Sequence, residues 1–339
     1  MKQTSFLAIF GFLFCTTSVF AQYTDIINSN RPGASVGAYA VGKNVLQFEG
    51  GLAVDRQEHK KLNTEVDAFV MDFALRYGIF KEQLEIRWEG AYQFDTFTSN
   101  TTIPALEFNR NGFLTHTIGA HYMIYDPYAK SELEKPNLYS WKANNSFRWK
   151  DLIPAIGVYA GANFVFSDNP YFPRTEPSVS PKVTVATQSH FAGRWVFVSN
   201  ITYDRITSDS KELSYILTLT HAFDNPKWSA FVEHQGIDSD LYADGLFRAG
   251  GAYLLGDDFQ LDAYIGTGIK NTPTRVFAGI GLSYRIDMWH EDEIIPIDEQ
   301  DPNGEDPKNK RKKKKGENEK DKFDEDDDGD GDDDGGNNN

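Results

Sequence analysis

Residues 83–94 read Gln-Leu-Glu-Ile-Arg-Trp-Glu-Gly-Ala-Tyr-Gln-Phe, and their alternation decides the fold. Successive side chains of an extended chain point to opposite faces. Leu84, Ile86, Trp88, Tyr92 and Phe94 therefore share one face, and Glu85, Arg87, Glu89 and Gln93 share the other. One face is buried. The rest of the chain must say whether the bulky side meets a protein core or a lipid.

The N-terminus bears on location. Lys2 supplies a positive start, 6–14 is an apolar run, and Val19-Phe20-Ala21 precedes Gln22 as a small-residue cleavage site. This pattern predicts a secretory signal peptide over 1–21, too short for a membrane anchor. Cys15, the only cysteine, lies within it, and Phe14 before it does not fit a lipoprotein signal. The mature chain is then free of disulfides and thiolate chemistry. No later segment offers the ~18 uninterrupted apolar residues of a membrane helix, so any membrane crossing is made by strands.

Period-two patterning recurs twelve times, at 45–54, 66–77, 83–94, 113–125, 155–166, 180–189, 195–205, 211–223, 228–235, 245–254, 259–268 and 275–286. These lengths approach the ~9–11 residues of a tilted transmembrane strand. Bulky residues keep one parity, as in Phe69, Phe73 and Tyr77 or Ile280, Leu282 and Tyr284. The other parity collects Glu49, Asp72, Arg76, Glu85, Arg87, Glu89, Lys182, Glu233, Arg248, Asp262 and Arg285. Tight connections at 78–82, 190–194, 224–227 and 255–258 alternate with longer ones at 55–65, 95–112 and 167–179, as in outer-membrane barrels. The expected fold is all-β, an antiparallel transmembrane barrel over 45–286 with bulky residues toward lipid and charges toward a lumen. A secreted β-sandwich or propeller alternates as well, but aromatic girdles and turn asymmetry favour the barrel.

Three segments fall outside this pattern. Residues 22–44, rich in Gly and Ala, are long enough to plug a lumen of twelve strands, which lies between filled small barrels and open porins. The connection 126–154 is enlarged and carries Tyr139, Trp141, Phe147 and Trp149 around Asn144-Asn145, a two-residue hairpin turn. These rings either sit at the lipid interface or form a docking surface for a partner. If the hairpin joins the sheet, the barrel has fourteen strands. The segment 287–339 holds 21 acidic and nine basic residues, a net of −12 out of the chain's −16. It is too polar to build a core and is expected to be a disordered periplasmic tail.

Chemistry-bearing motifs are weak. The seven histidines are His59, His116, His121, His190, His221, His234 and His290, and Ser189 beside His190 faces the opposite way along a strand. No nucleophile and base share a face within a strand, so no enzyme is expected. Asp324-Glu325-Asp326-Asp327-Asp328-Gly329 matches the start of a calcium loop, yet its twelfth position is Gly335 rather than glutamate. Only weak, diffuse calcium association follows. The basic block 308–315 is a solvated charge run or a contact for anionic headgroups. No cofactor and no nucleic-acid partner are expected.

Several segments carry a resemblance. Asn30-Arg31-Pro32-Gly33, Val45-Leu46-Gln47-Phe48-Glu49-Gly50-Gly51, Phe73-Ala74-Leu75-Arg76-Tyr77-Gly78, Glu85-Ile86-Arg87 and the closing 276–286 follow one another in characteristic order. Together they resemble the outer-membrane proteins grouped as a "MetA-pathway of phenol degradation" or "transporter" family, common in Bacteroidota. The resemblance implies a barrel of about twelve strands with a loosely assigned transport role and no catalytic motif. The enlarged 126–154 and the charged tail depart from the family pattern. They favour a non-enzymatic accessory subunit of an envelope machine, in outer-membrane protein assembly or secretion, whose insertion and tail dock partners in the periplasm. The alternative is a passive channel for small aromatic or hydrophobic solutes.

Overall fold

The computed structural model describes residues 26–128, 152–191, 194–240 and 242–287. The expected signal peptide, the rings at Tyr139, Trp141, Phe147 and Trp149, the calcium-like stretch, the basic block and nearly all of the segment 287–339 lie outside them.

Twelve strands follow in chain order: β1 (Leu46–His59), β2 (Thr64–Gly78), β3 (Leu84–Ser99), β4 (Leu106–Tyr125), β5 (Ala155–Phe164) and β6 (Val179–Phe191), then β7 (Trp195–Asp204), β8 (Glu212–Ala222), β9 (Trp228–Ser239), β10 (Asp244–Leu254), β11 (Phe259–Gly268) and β12 (Thr274–Ile286). Each pairs antiparallel with its sequence neighbours, and β12 returns to β1 to close the barrel. The closing seam runs from Leu46↔Ile286 to Glu58↔Thr274. Closure gives every strand two neighbours whose ladders satisfy most of the wall's backbone polarity, although Leu106–His116 of β4 have a strand partner only in β3. β4 pairs directly with β5, from Thr117↔Asn163 to Tyr125↔Ile156. The closed barrel therefore has twelve strands rather than fourteen, and the hairpin expected around Asn144-Asn145 lies outside the described residues.

The inside is polar and the outside apolar. Ile86 is 42% exposed, whereas its neighbour Arg87 is 1% exposed. Phe48, Trp88, Val232 and Ile280 are likewise exposed on the outer wall, while Arg76, Glu85 and His121 are sealed inside. A water-soluble sandwich would have the opposite polarity. The molecule is a transmembrane barrel, with the bulky face of its strands toward lipid.

The ends of the first four strands differ from expectation. β1 and β2 run on to His59 and Thr64, and β3 and β4 to Ser99 and Leu106, so 55–65 and 95–112 are mostly strand rather than long loops. Polar residues on both faces hide such extensions from period-two reading, because a hairpin arm standing in water is held by its ladder rather than by burial. At this distal end, opposite the termini of the barrel, only the connection 165–178 is long. The expected asymmetry of turn lengths is correspondingly weaker.

Candidate functional site

Residues 26–44 contain no regular structure, and they enter the lumen from the proximal end, where β1 begins and β12 ends. Ile27 bonds the β10–β11 turn through the Asp257 carbonyl at 2.8 Å. The Asn28 carbonyl accepts from Gln47 and Arg76, and Ser29 Oγ lies 2.6 Å from Ser283 Oγ. Arg31 reaches the middle of the barrel. The chain then turns back: Ala34 N donates to Glu233 at 3.0 Å, Val36 N to Asn200 Oδ1 at 2.7 Å and Ala38 N to Gln188 at 3.2 Å. Val41 N donates to Glu85 at 2.9 Å, and Lys43 N to Glu82 at 2.9 Å, back at the proximal rim.

A coil inside a protein has no ladder of its own, yet its buried amides must be bonded. The lumen side chains meet that demand, so the polar lining and the irregular segment explain each other. The sharpest contact is Arg31. Its guanidinium donates to Asp72 and, at 3.1 and 3.2 Å, to the two carboxylate oxygens of Asp262. Gly51 and Gly281, partners across the β1–β12 seam, make room for it. A Cβ at Gly281 would stand 2.1 Å from Arg31 Nη2, and one at Gly51 2.4 Å away.

The expected lumen residues form three other groups. Arg76 bridges Glu49 at 3.1 Å and Glu85 at 3.0 Å, and Arg87 joins Glu85 at 2.5 Å. Glu233 takes Arg248 at 2.8 Å and Thr218 at 2.8 Å in addition to the plugging segment. Lys182 pairs with Glu89 at 3.0 Å. Arg285 stands apart from them, bonded to Asp258 at the proximal rim at 2.7 Å. Every one of these charges has a partner, and among the described residues no group of His, Asp and Glu is arranged to hold a metal.

Above the plugging segment, toward the distal end, lies a cavity of about 430 Å³. Gln57, Gln93, Arg110, Tyr171, Phe172, Glu212, Tyr242 and Arg275 are among its lining residues. Its charges are again matched: Arg110 with Asp95 at 2.8 Å, Arg275 with Asp55 at 2.5 Å, and Arg205 with Glu212 at 2.7 Å. Tyr171 donates to Asp95 at 2.9 Å. Burial, with that carboxylate beside it, pushes the Tyr171 phenol above its ordinary range, so it keeps its proton. The chamber thus offers ring faces and neutral or internally compensated polar groups, with no unmatched charge among these ion pairs. Sequence reading missed Asp55, Asp95, Arg110 and the three rings, because they sit where loops were expected; Arg275, the first residue of the expected strand 275–286, was not among the lumen charges picked out. Arg31 was visible only as part of the Asn-Arg-Pro-Gly segment.

Among solved structures, the chain is similar to the COG4313 outer membrane channel from Pseudomonas putida F1, at 11% identity over 77% of this chain and 100% of that one, with a TM-score of 0.47. It is also similar to the toluene transporter TodX from Pseudomonas putida, at 11% identity over 78% and 98% of the two chains and a TM-score of 0.39. A third likeness is the translocator domain of the autotransporter NalP from Neisseria meningitidis, at 9% identity over 76% and 90%, with a TM-score of 0.39. No curated protein matches the sequence. The sequence model of the family described as "Putative MetA-pathway of phenol degradation" matches residues 29–286, which take in nearly all of the plugging segment and all twelve strands. The chain belongs to that family.

Proposed function

We propose that the protein is an outer-membrane channel for small, weakly polar aromatic solutes, closed at its periplasmic end by residues 26–44. The observation that carries this reading is the chamber above the plugging segment, where Tyr171, Phe172 and Tyr242 stand among charges already neutralised by partners. A charged solute gains little there, since it would have to break existing ion pairs. A neutral ring gains dispersion and edge contacts with the tyrosines and phenylalanine. The family's description, which concerns phenol degradation, points to the same solute class. The reading of the chain as an accessory subunit in assembly or secretion rests on Tyr139, Trp141, Phe147, Trp149 and the tail, and no contact described above adds to it.

The proximal end is the periplasmic one in this proposal, since an even number of strands brings both ends of the barrel to the same side. Transport then requires the coil at 26–44 to shift, which its side-chain bonds permit more readily than a sheet would. The test is purified protein in planar bilayers and in phenol-loaded vesicles. Phenol release above that of protein-free vesicles, rising when 26–41 are deleted, is the expected result. Release at the protein-free rate with and without 26–41 would sink the channel reading.

A further inference from the structure

One sector of the outer wall is hollowed. On the lipid-facing side of β12 and β1–β4, two adjoining cavities of about 750 and 810 Å³ meet at Phe94 and follow one another along the strands. Each is already within the ~300–1,000 Å³ of a pocket for a drug-sized molecule, so together they fit something larger. The hollow has a cause in the sequence. Gly50 and Gly90 take outward positions on either side of Phe73, in one rung. Aromatic rings fold over both: a Cβ at Gly50 would stand 3.0 Å from Phe48 Cζ, and one at Gly90 2.8 Å from Phe73 Cε1. A ring folded over glycine lies along the wall instead of standing out from it.

Register gives the hollow an apolar floor and a polar edge. Leu52, Met71, Tyr92 and Phe113 form one outward rung across β1–β4, and Val54, Phe69, Phe94 and Asn111 form the next. Above them come Arg56, Asp67, Thr96 and Asn109, polar on all four strands. The Arg56 side chain is 71% exposed and lies 3.6 Å from both Glu65 and Asp67, an open pairing that water already shares. From Gly50 to Arg56 the strand climbs six residues, roughly 20 Å at ~3.4 Å per residue. With a strand tilt of ~35–45° that is about 15 Å of depth, half of a ~30 Å hydrocarbon core. Across, five strands spaced ~4.8 Å apart give a width of about 19 Å. An acyl chain is about as thick as one such spacing, so more than two lie side by side in the hollow.

We propose that this hollow is a binding site for a saccharolipid of the distal leaflet. Several acyl chains lie over Gly50 and Phe73, and a phosphorylated sugar head sits at the Arg56 rung. Arg56 supplies the cation for a phosphate. Thr96 donates to Asn109 Oδ1 at 3.1 Å and Tyr92 to Asn111 Oδ1 at 2.8 Å, so both carboxamides keep N–H donors for sugar hydroxyls, and Asp67 accepts from them. The inference takes the distal leaflet as the outer one from the orientation proposed above, but it does not depend on conduction.

The test is native mass spectrometry of the purified barrel in detergent, titrated in turn with hexa-acylated diphosphoryl lipid A, phosphatidylethanolamine and phosphatidylglycerol. One lipid A molecule is expected to stay bound at collision energies that strip both phospholipids. Arg56→Gln should weaken that complex about tenfold, the loss of one charge-assisted contact. Ala278→Trp, which fills the hollow beside Val54, should abolish it. Val232→Trp, at an exposed outward position on the far wall, should leave it unchanged. Heat-modifiable migration checks that each variant folds, and surface Arg56→Gln carries the test if a tryptophan variant does not. Equal retention of all three lipids, or a loss from Val232→Trp that matches Ala278→Trp, would mean ordinary annular contact and overturn the site. A preference for either phospholipid would overturn the saccharolipid. Phenol release has no part in this readout, so the binding site and the channel reading fail separately.

Discussion

At the scale of single residues, polarity is inverted relative to a soluble protein, and the cost of a substitution depends on which wall it faces. Leu52 pairs with Ile280 and Met71 near the middle of the apolar belt. Leu52→Arg is expected to destabilise the barrel by about 2–4 kcal/mol, the cost of a basic side chain at the bilayer midplane. Ile86, by contrast, pairs with Tyr77 close to the proximal end, where the same change costs less, about 0–1 kcal/mol near an interface. Denaturant unfolding in lipid vesicles measures both, and equal losses would mean that the heights are misassigned. Inside, Arg76 neutralises Glu49 and Glu85 at once. Arg76→Met leaves Glu49 without an ion-pair partner and Glu85 with Arg87 alone in a sealed site, and breaking a buried pair in this way costs about 3–5 kcal/mol. Arg87→Met is milder, because Glu85 keeps Arg76. A larger loss from Arg87→Met than from Arg76→Met would contradict the hierarchy of that cluster.

At the scale of elements, the strands were legible and their tips were not. The alternation of Leu84, Ile86 and Trp88 with Glu85, Arg87 and Glu89 follows from one wet and one lipid-facing wall, so the sequence announces it directly. Beyond the membrane both walls are wet. Residues 55–59 and 64–65 then show no period, although their ladder continues. The segment 26–44 is illegible for a different reason: its amides are bonded by side chains distant in sequence, and no periodicity encodes that. The lumen charges could be picked out by parity, but their grouping depends on register across strands. Arg31 makes the element testable. Arg31→Gln keeps a donor but gives up the charge shared with Asp72 and Asp262, and Gly281→Val forces the guanidinium away from its seat. Both changes are expected to loosen the segment without disturbing the twelve-strand ladder. Planar-bilayer recordings should show more frequent or longer openings, with unchanged heat-modifiable migration. Quiet traces identical to the parent protein would mean that Arg31 does not hold the segment.

At the scale of the whole molecule, the barrel and its plugging segment are separable in principle. The ladder closes between β1 and β12 and ends at Ile286, so a chain stopped after His290 keeps every rung. Such a truncation should assemble and resist heat as the full chain does, and failure to insert would make the tail an assembly element. The coil at 26–44 is the opposite case, since it touches strands around most of the circumference, from Ser283 and Glu49 to Glu85, Gln188, Asn200 and Glu233. If conduction requires it to move, tethering it should silence the channel. Val36 N lies 2.7 Å from Asn200 Oδ1, and Asn200 Nδ2 bonds back to the Val36 carbonyl at 2.8 Å, which seats the Val36 backbone against the end of the Asn200 side chain. A Val36→Cys, Asn200→Cys pair, in a chain whose only other cysteine is Cys15, can be closed by oxidation. Oxidised protein is expected to release phenol at the protein-free rate, and a reductant should restore release to that of the unmodified chain. Each single cysteine serves as a control that oxidation leaves unchanged. Unaltered release from the oxidised pair, with the cross-link verified by mass, would show that solutes pass beside the segment rather than through its displacement.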